Sequence, residues 1–277
     1  MQKTAIEWAK NPDGTQGYTW NVITGCLGPK GDGVHCPYCY ARRLANTRLK
    51  DRYLANKNWD TRTPANYKGY PNLDPFYPRF WSDRCNRSDI LTGGKPKGIF
   101  VCDMSDLFGI GIPEDWTHRV LDRCKDMNQH RFYLLTKQPQ RLSEFEIPDN
   151  CWVGVTATDI LSYYKAKDSL DIIGAKIKYI SFEPLLGDIG NPGKEFLTGI
   201  DWVIIGALTG SYQYLIEVAH KYPNLTLTKT KGAKWTLQPK IEWAREIVEA
   251  ADKAGVPVFQ KDNLKPLLGN NLRQKMP

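Results

Sequence analysis

Cys151-Trp152-Val153-Gly154-Val155, a helical stretch from Asp159 to Gly174, then Ile177-Lys178-Tyr179-Ile180-Ser181-Phe182: read together, these residues make one strand–helix–strand repeat. Both apolar runs are nearly continuous rather than alternating, as parallel strands covered on both faces require. Similar runs recur at Gly98–Cys102, Arg131–Leu135, Trp202–Gly206 and Val256–Phe259, and a first strand falls around Tyr18 to Ile23. Helical spacing separates them. Trp116, Val120, Cys124 and Met127 follow Pro113, and Ala244, Val248 and Ala251 share a face of a helix that starts near Ile241 and stops at Gly255. Repetition of this kind predicts right-handed crossovers and an α/β fold. With about six to seven parallel strands, short of a full eightfold barrel, the expected fold is a partial (β/α) barrel in a single domain, 1–277. An open doubly wound sheet is the alternative.

From 59 to 97 the periodicity fades. Pro64, Pro71, Pro75, Pro78 and Pro96 interrupt it, which predicts an irregular insertion or cap. Its aromatics (Trp59, Tyr67, Tyr70, Phe76, Tyr77, Phe80 and Trp81) are mixed with Arg62, Lys68, Arg79, Arg84 and Arg87. That mixture suits either base stacking with phosphate neutralisation or a Pro-rich wrap packed on the core.

Lys and Arg number 38 against 30 Asp and Glu, a net charge of +8 that puts nucleic acid among the expected partners. The densest basic runs, Lys229–Lys234 and Lys261–Lys265, read most simply as solvated surface. No apolar run is long enough to span a membrane and the first residues lack a signal-peptide core, so the expectation is a cytoplasmic protein with no membrane partner. In that reducing setting seven cysteines suit metal ligation and buried thiols better than disulfides. Cys85, Cys102, Cys124 and Cys151 fall in strand or helix patterns and read as buried thiols.

The other three cysteines are Cys26 and, after nine intervening residues, Cys36-Pro37-Tyr38-Cys39. Three thiolates are one short of the set for a tetrahedral zinc or a cubane iron–sulfur cluster. His35 or Cys85 would complete a zinc site, giving a zinc-stabilised nucleic-acid-binding protein without catalysis. An open fourth position instead points to an enzyme.

Cys36-Pro37-Tyr38-Cys39-Tyr40-Ala41, with Cys26 in a Gly-rich loop after a strand, resembles the cluster loop of radical S-adenosylmethionine enzymes. The resemblance implies that Cys26, Cys36 and Cys39 ligate a [4Fe–4S] cluster, that Tyr38 lies beside the cofactor, and that S-adenosylmethionine takes the fourth iron. Further motifs occur in order along the chain: Tyr18–Cys26, Met104–Phe108, Leu135-Thr136-Lys137, Ser181–Gly187 and Asp201–Gly206. Together they resemble a phage-associated radical-SAM-like family of unknown function. Two departures stand out. The usual spacing between the first two cysteines is three residues, and Gly206-Ala207-Leu208-Thr209-Gly210 replaces a motif with an acidic residue. Leu208 therefore raises the reading of a fold that keeps its cluster without turnover.

In α/β barrels the strand C-termini face the active site. Asp103, Ser105 and Asp106 follow one strand, where the resemblance implies contact with the cofactor's amino group; Asp106 serves equally well as a helix cap. Thr136 and Lys137 end the next, with Lys137 facing a carboxylate or phosphate, and Thr156 and Thr158 suit ribose hydroxyls. Glu183, placed before a proline, is with Lys137 the expected catalytic residue; Lys261 is a weaker one. The implied reaction starts from a reduced cluster, supplied by a donor such as flavodoxin or ferredoxin, and generates a 5′-deoxyadenosyl radical. That radical then takes a hydrogen atom from the substrate, which would be a nucleic acid or nucleotide.

Overall fold

The computed structural model describes residues 1–60, 62–87, 94–190, 195–230 and 234–277. Residue 61 and residues 88–93 of the irregular stretch, and Lys231 to Ala233 of the first basic run, lie outside the described residues. The chain divides into two compact units, 1–153 with 173–176, and 154–172 with 177–277.

The first unit begins with β1 (Gln2–Lys3), β2 (Tyr18–Trp20) and β3 (Ile23–Thr24). Helices α1 (Tyr40–Ala45) and α2 (Lys50–Ala55) follow, then β4 (Arg79–Phe80), α3 (Ser82–Cys85) and β5 (Gly98–Val101). Helix α4 (Glu114–Asp126) and β6 (Arg131–Thr136) complete this series. As the unbroken apolar runs predict, β2, β5 and β6 pair in parallel, with Thr19 opposite Phe100 and Ile99 opposite Phe132. The short β1 adds antiparallel at the edge, and β3 pairs antiparallel with β4 outside this sheet. Pro113 caps α4 from outside rather than opening it, and the buried face carries Trp116, Val120 and Cys124 as the spacing required.

Large aromatics fill the space behind the strands. Trp8 meets Phe100 at 4.9 Å and the edge of Tyr133 at 5.7 Å, while Tyr133 meets Trp152 at 5.4 Å. The Tyr133 hydroxyl donates to the Lys10 carbonyl at 2.7 Å, so this buried ring keeps its polar end paired.

Strand β7 (Cys151–Thr156), buried throughout, crosses the boundary between the units. In the second unit α5 (Ile160–Asp171) starts at Asp159, whose carboxylate accepts from the Ser162 amide at 2.9 Å while Ser162 Oγ accepts from the Asp159 amide at 3.0 Å, a reciprocal cap. Strands β8 (Ile177–Phe182) and β9 (Trp202–Ile205) are parallel neighbours. Next come β10 (Leu208–Gly210), α6 (Tyr212–Ala219), β11 (Thr226–Lys229), β12 (Trp235–Gln238) and α7 (Ile241–Ala254). Finally β13 (Val258–Gln260) pairs in parallel with β9, followed by the one-turn α8 (Lys265–Leu268).

Helix α7 ends at Gly255 with φ +70°, the left-handed cap that its sequence predicts. Strands β10, β12 and β11 form a separate antiparallel sheet that the apolar runs do not announce. The fold is thus α/β with mostly parallel strands.

Candidate functional site: a three-cysteine loop

Gly25, at φ +89°, turns the chain out of β3 between two walls. A Cβ there would stand 2.4 Å from the Tyr77 carbonyl oxygen and 2.5 Å from that of Phe76. On one side the Gly25 amide donates to the Met104 carbonyl at 2.9 Å; on the other the Cys26 amide donates to Phe76 O at 2.9 Å. Cys26 is thereby fixed between the chain after β5 and the irregular stretch before β4.

The nine residues after Cys26 close on themselves. The Gly33 amide donates to Leu27 O at 2.9 Å, and the Gly28 backbone passes so near Val34 that a Cβ would lie 2.0 Å from its carbonyl oxygen. The loop returns to its origin at His35, whose Nε2 is 2.7 Å from the Cys26 carbonyl. Cys36 follows directly, and a turn joining the Cys39 amide to Cys36 O at 3.0 Å brings in the third thiol. Cys39 then caps α1, its sulfur accepting from the Arg42 amide at 3.4 Å. Cys26 and Cys39 both pack against one apolar cluster, Ala41, Ala45, Tyr53, Phe76 and Met104.

The donor set fits a sulfur-ligated cluster. The three soft thiols lie near enough that, beyond burial, Cys39 and Cys36 both add to the rise at Cys26, and N–H groups already point at sulfur: Gly28 N at 3.2 Å and Gln138 Nε2 at 3.5 Å from Cys26 Sγ, with Arg42 N on Cys39. Among the described residues, no group of three or more His, Cys, Asp or Glu side chains is set up to hold a metal ion as it stands. Burial, and after it the Asp106 charge, pushes the Cys26 thiol up; burial also raises Cys39, against the pull of the Lys137 ammonium. The two candidate fourth zinc ligands differ. His35 commits Nε2 to Cys26 O and keeps Nδ1 buried without a hydrogen-bond partner among the described residues, whereas Cys85 is buried beside Arg119 and Arg123, the latter bonding its carbonyl at 3.1 Å.

The chain after β5 leaves the strand through Cys102, whose φ of +56° is a left-handed conformation in a non-glycine residue. Asn21 holds the turn from both sides, donating to Asp103 Oδ1 at 2.6 Å and accepting from the Met104 amide at 3.0 Å. Tyr40 Oη adds a bond to Asp103 O at 2.5 Å, and burial raises the Asp103 carboxyl above its ordinary value.

Ser105 Oγ donates to Gly25 O at 2.5 Å. Asp106 is buried and accepts the Thr136 hydroxyl at 2.6 Å and the Lys137 amide at 2.9 Å. Thr136 Oγ1 in turn accepts from the Gln138 amide at 2.9 Å. Ser105, Asp106 and Thr136 therefore spend their side chains on internal bonds. Lys137 is exposed, with its charge felt at Cys39, and Tyr38 is half-buried beside the loop.

In the second unit, Glu183 pairs with Lys261 Nζ, and a Cβ on Gly206 would meet both side chains at 3.1 Å. Asn263 braces the same strand end, accepting from the Ala207 amide at 3.0 Å and donating to its carbonyl at 2.7 Å. Thr156 is buried at the end of β7. Thr158 donates its hydroxyl to Asp159 at 3.3 Å. Leu208 is a buried residue of β10 opposite Leu237.

Residues 3–220 match a family described as a protein of unknown function, DUF5131. The chain belongs to the DUF5131 family. No curated protein matches it. Among solved structures, this DUF5131 chain is similar to a cysteine-to-alanine mutant of spore photoproduct lyase with dinucleoside spore photoproduct. The two are 13% identical with a TM-score of 0.50, over 90% of this chain and 78% of that one. A cysteine-to-serine mutant of spore photoproduct lyase is likewise 13% identical at a TM-score of 0.50, over 94% of this chain and 80% of that one. The likeness is one of fold.

Several residues of the irregular stretch differ from the base-stacking expectation. Arg79 is fully buried and donates to the carbonyls of Asn56, Pro71, Asp74 and Tyr77 at 2.8–3.0 Å. Arg62 pairs with Asp60, and Arg84 bonds the Asn21 carbonyl at 2.7 Å while lying 3.7 Å over the Trp81 ring. Arg79 and Arg84 tie separate segments of the chain together, whereas Arg62 is exposed and pairs only with nearby Asp60. Nothing in the sequence singles out Gln138, Asn21 and Asn263, because their partners lie 28 to 112 residues away. Cys85, Cys102, Cys124 and Cys151 are buried as expected. Among the described residues, no helix is long and apolar enough to cross a membrane.

Proposed function

We propose that this DUF5131 protein is a radical S-adenosylmethionine enzyme that acts on a nucleic acid or nucleotide, its strands curled as a partial barrel in a single functional domain. The observation that carries the reading is the closed loop 27–35. It cancels the long gap between Cys26 and Cys36 and aims N–H groups at two of the three sulfurs. The fold likeness to spore photoproduct lyase, a radical SAM enzyme, supports the superfamily, and the dinucleoside named with one of those structures supports a nucleic-acid substrate.

Cys26, Cys36 and Cys39 would hold a [4Fe–4S] cluster. Bound there, such a cluster supplies the single electron that cleaves S-adenosylmethionine to a 5′-deoxyadenosyl radical, drawn from a donor such as flavodoxin or ferredoxin. Asn21, Ser105, Asp106 and Thr136 set the backbone around the cofactor, and the Asp103 carboxyl and nearby carbonyls are the groups that would meet its ammonium. Lys137 would face the cofactor's carboxylate, and Tyr38 would pack beside it. Thr156 and Thr158 would approach the ribose. In the second unit Glu183, oriented by Lys261, would act on the substrate. The association with phage rests on the motif resemblance.

Anaerobic purification and reconstitution test the reading. We expect a brown protein with about four irons per chain, reduced to background by Cys36→Ala, and 5′-deoxyadenosine released from S-adenosylmethionine after reduction. A colourless protein with one zinc and no iron after reconstitution would overturn it. Iron uptake without cleavage would instead identify the form that has lost turnover.

A further inference from the structure

Between Arg42 and Lys57 the sequence holds six cations, Arg42, Arg43, Arg48, Lys50, Arg52 and Lys57, against one acid, Asp51. The local excess of five is more than half of the net +8 of the whole chain. All six cations are exposed. The inner faces of the same two helices are apolar: Ala41, Ala45 and Tyr53 pack into the cluster that also takes Cys26 and Cys39. Helices α1 and α2 therefore form a ledge, anchored at the cysteine loop and presenting charge outward. Among the described residues, Arg42, Arg48, Lys50, Arg52 and Lys57 form no ion pair.

A groove of about 570 Å³ opens beside the ledge, lined among others by Arg52, Lys57, Asn58, Trp81, Ser82 and the acidic Asp83. The groove is shallow and open to solvent. Asn58 and Ser82 are exposed polar groups at its wall, and Trp81, half-buried, is held by its indole N–H on Thr24 Oγ1 at 2.9 Å. Arg52 stands 5.9 Å from the Trp81 ring, close enough to Arg84 that its charge adds to burial in lowering the Arg84 pKa. Cations that outnumber the Asp51 and Asp83 carboxylates, beside a concave surface with an indole and small polar groups, suit phosphates with an unstacked base between them. A duplex keeps its bases stacked and would leave the groove unused.

We propose that the α1–α2 ledge and the groove at Trp81 bind single-stranded nucleic acid, phosphates on the cations and one base in the groove. The inference deepens the nucleic-acid part of the function proposed above and rests on it for the substrate class. Binding itself does not need the cluster.

The test is fluorescence anisotropy of the full chain with labelled single-stranded DNA, single-stranded RNA and duplex DNA oligonucleotides across a salt series. The variant Arg48→Glu/Lys50→Glu/Arg52→Glu/Lys57→Glu should bind the preferred single strand roughly 100-fold more weakly. Its salt slope should be lower by about 3, at ~0.7 for each phosphate no longer neutralised. The neutral set Arg48→Gln/Lys50→Gln/Arg52→Gln/Lys57→Gln should show a smaller reduction of the same kind, and Trp81→Leu a reduction that salt does not change. The control Lys125→Glu/Lys165→Glu/Lys176→Glu/Lys253→Glu makes the same charge change elsewhere and should weaken binding less than a third as much. Equal weakening in ledge and control sets, duplex binding as tight as single-strand binding, or an unchanged slope would overturn the proposal. Iron content of the same preparations separates the two claims. Full iron with an unaffected slope removes the ledge and keeps the enzyme reading; no iron with a ledge-dependent slope does the reverse.

Discussion

Asp106 accepts the Thr136 hydroxyl at 2.6 Å and the Lys137 amide at 2.9 Å, so one buried carboxyl fastens the loop after β5 to the end of β6. Asp106→Ala strips three donors of their acceptor, the Thr136 hydroxyl, the Lys137 amide and the Phe108 amide at 3.3 Å. We expect a loss of about 3 kcal/mol or more in urea unfolding, at ~1–3 kcal/mol per unsatisfied group. Asp106→Asn keeps one acceptor and should lose about half of that. Equal effects for the two variants would mean that shape rather than hydrogen bonding sets the contribution.

Gly28 and Gly14 share a φ of +81°, yet a Cβ on Gly14 meets nothing within 4 Å while one on Gly28 meets Val34 O at 2.0 Å. Gly14→Ala should therefore cost only the backbone strain of about 1 kcal/mol. Gly28→Ala must also push the loop open, and we expect it to lower iron uptake on reconstitution at least threefold while Gly14→Ala leaves uptake unchanged. The metal assay discriminates: equal uptake by both variants would show that loop closure does not position the thiols.

The Glu183–Lys261 pair is only partly shielded, with side-chain exposures of 22% and 14%. Removing one partner should cost about 1–3 kcal/mol, below the ~3–5 kcal/mol of a fully buried pair. The double variant Glu183→Gln/Lys261→Met should recover part of the sum of the single losses, read as coupling in a double-mutant cycle. Strict additivity would show that the two charges do not support each other.

Arg79→Lys keeps the charge and loses the fork that serves four carbonyls. We expect limited proteolysis to cut between Trp59 and Tyr77 at least tenfold faster in the variant, with cleavage elsewhere unchanged. A wild-type digestion pattern would mean that the aromatic contacts hold the wrap unaided.

The parallel strands were legible because burial on both faces leaves unbroken apolar runs, as in Cys151–Thr156 and Ile177–Phe182. The antiparallel sheet was not. Thr226–Lys229 has exposed ends and half-buried middle residues, so it carries neither an apolar run nor a clean alternation, and its basic end reads as plain surface. The three cysteines stood out by type and spacing. Asp106 and Arg79 were legible as polar residues but not as struts, because a side chain's partners are fixed only when distant segments meet. The ledge escaped notice because its cations are spread over sixteen residues, in two short helices and the segments beside them.

The hydrogen bond from Gly33 to Leu27 and the contact of His35 with Cys26 make loop 27–35 a hoop whose two ends meet. Its far side is pinned as well, by Asn66 donating to Lys30 O at 2.8 Å and by Ile110 against Gly31, so the clasp and the rim are both held. Counting residues between the first two cysteines then measures the hoop and says nothing about where the sulfurs stand.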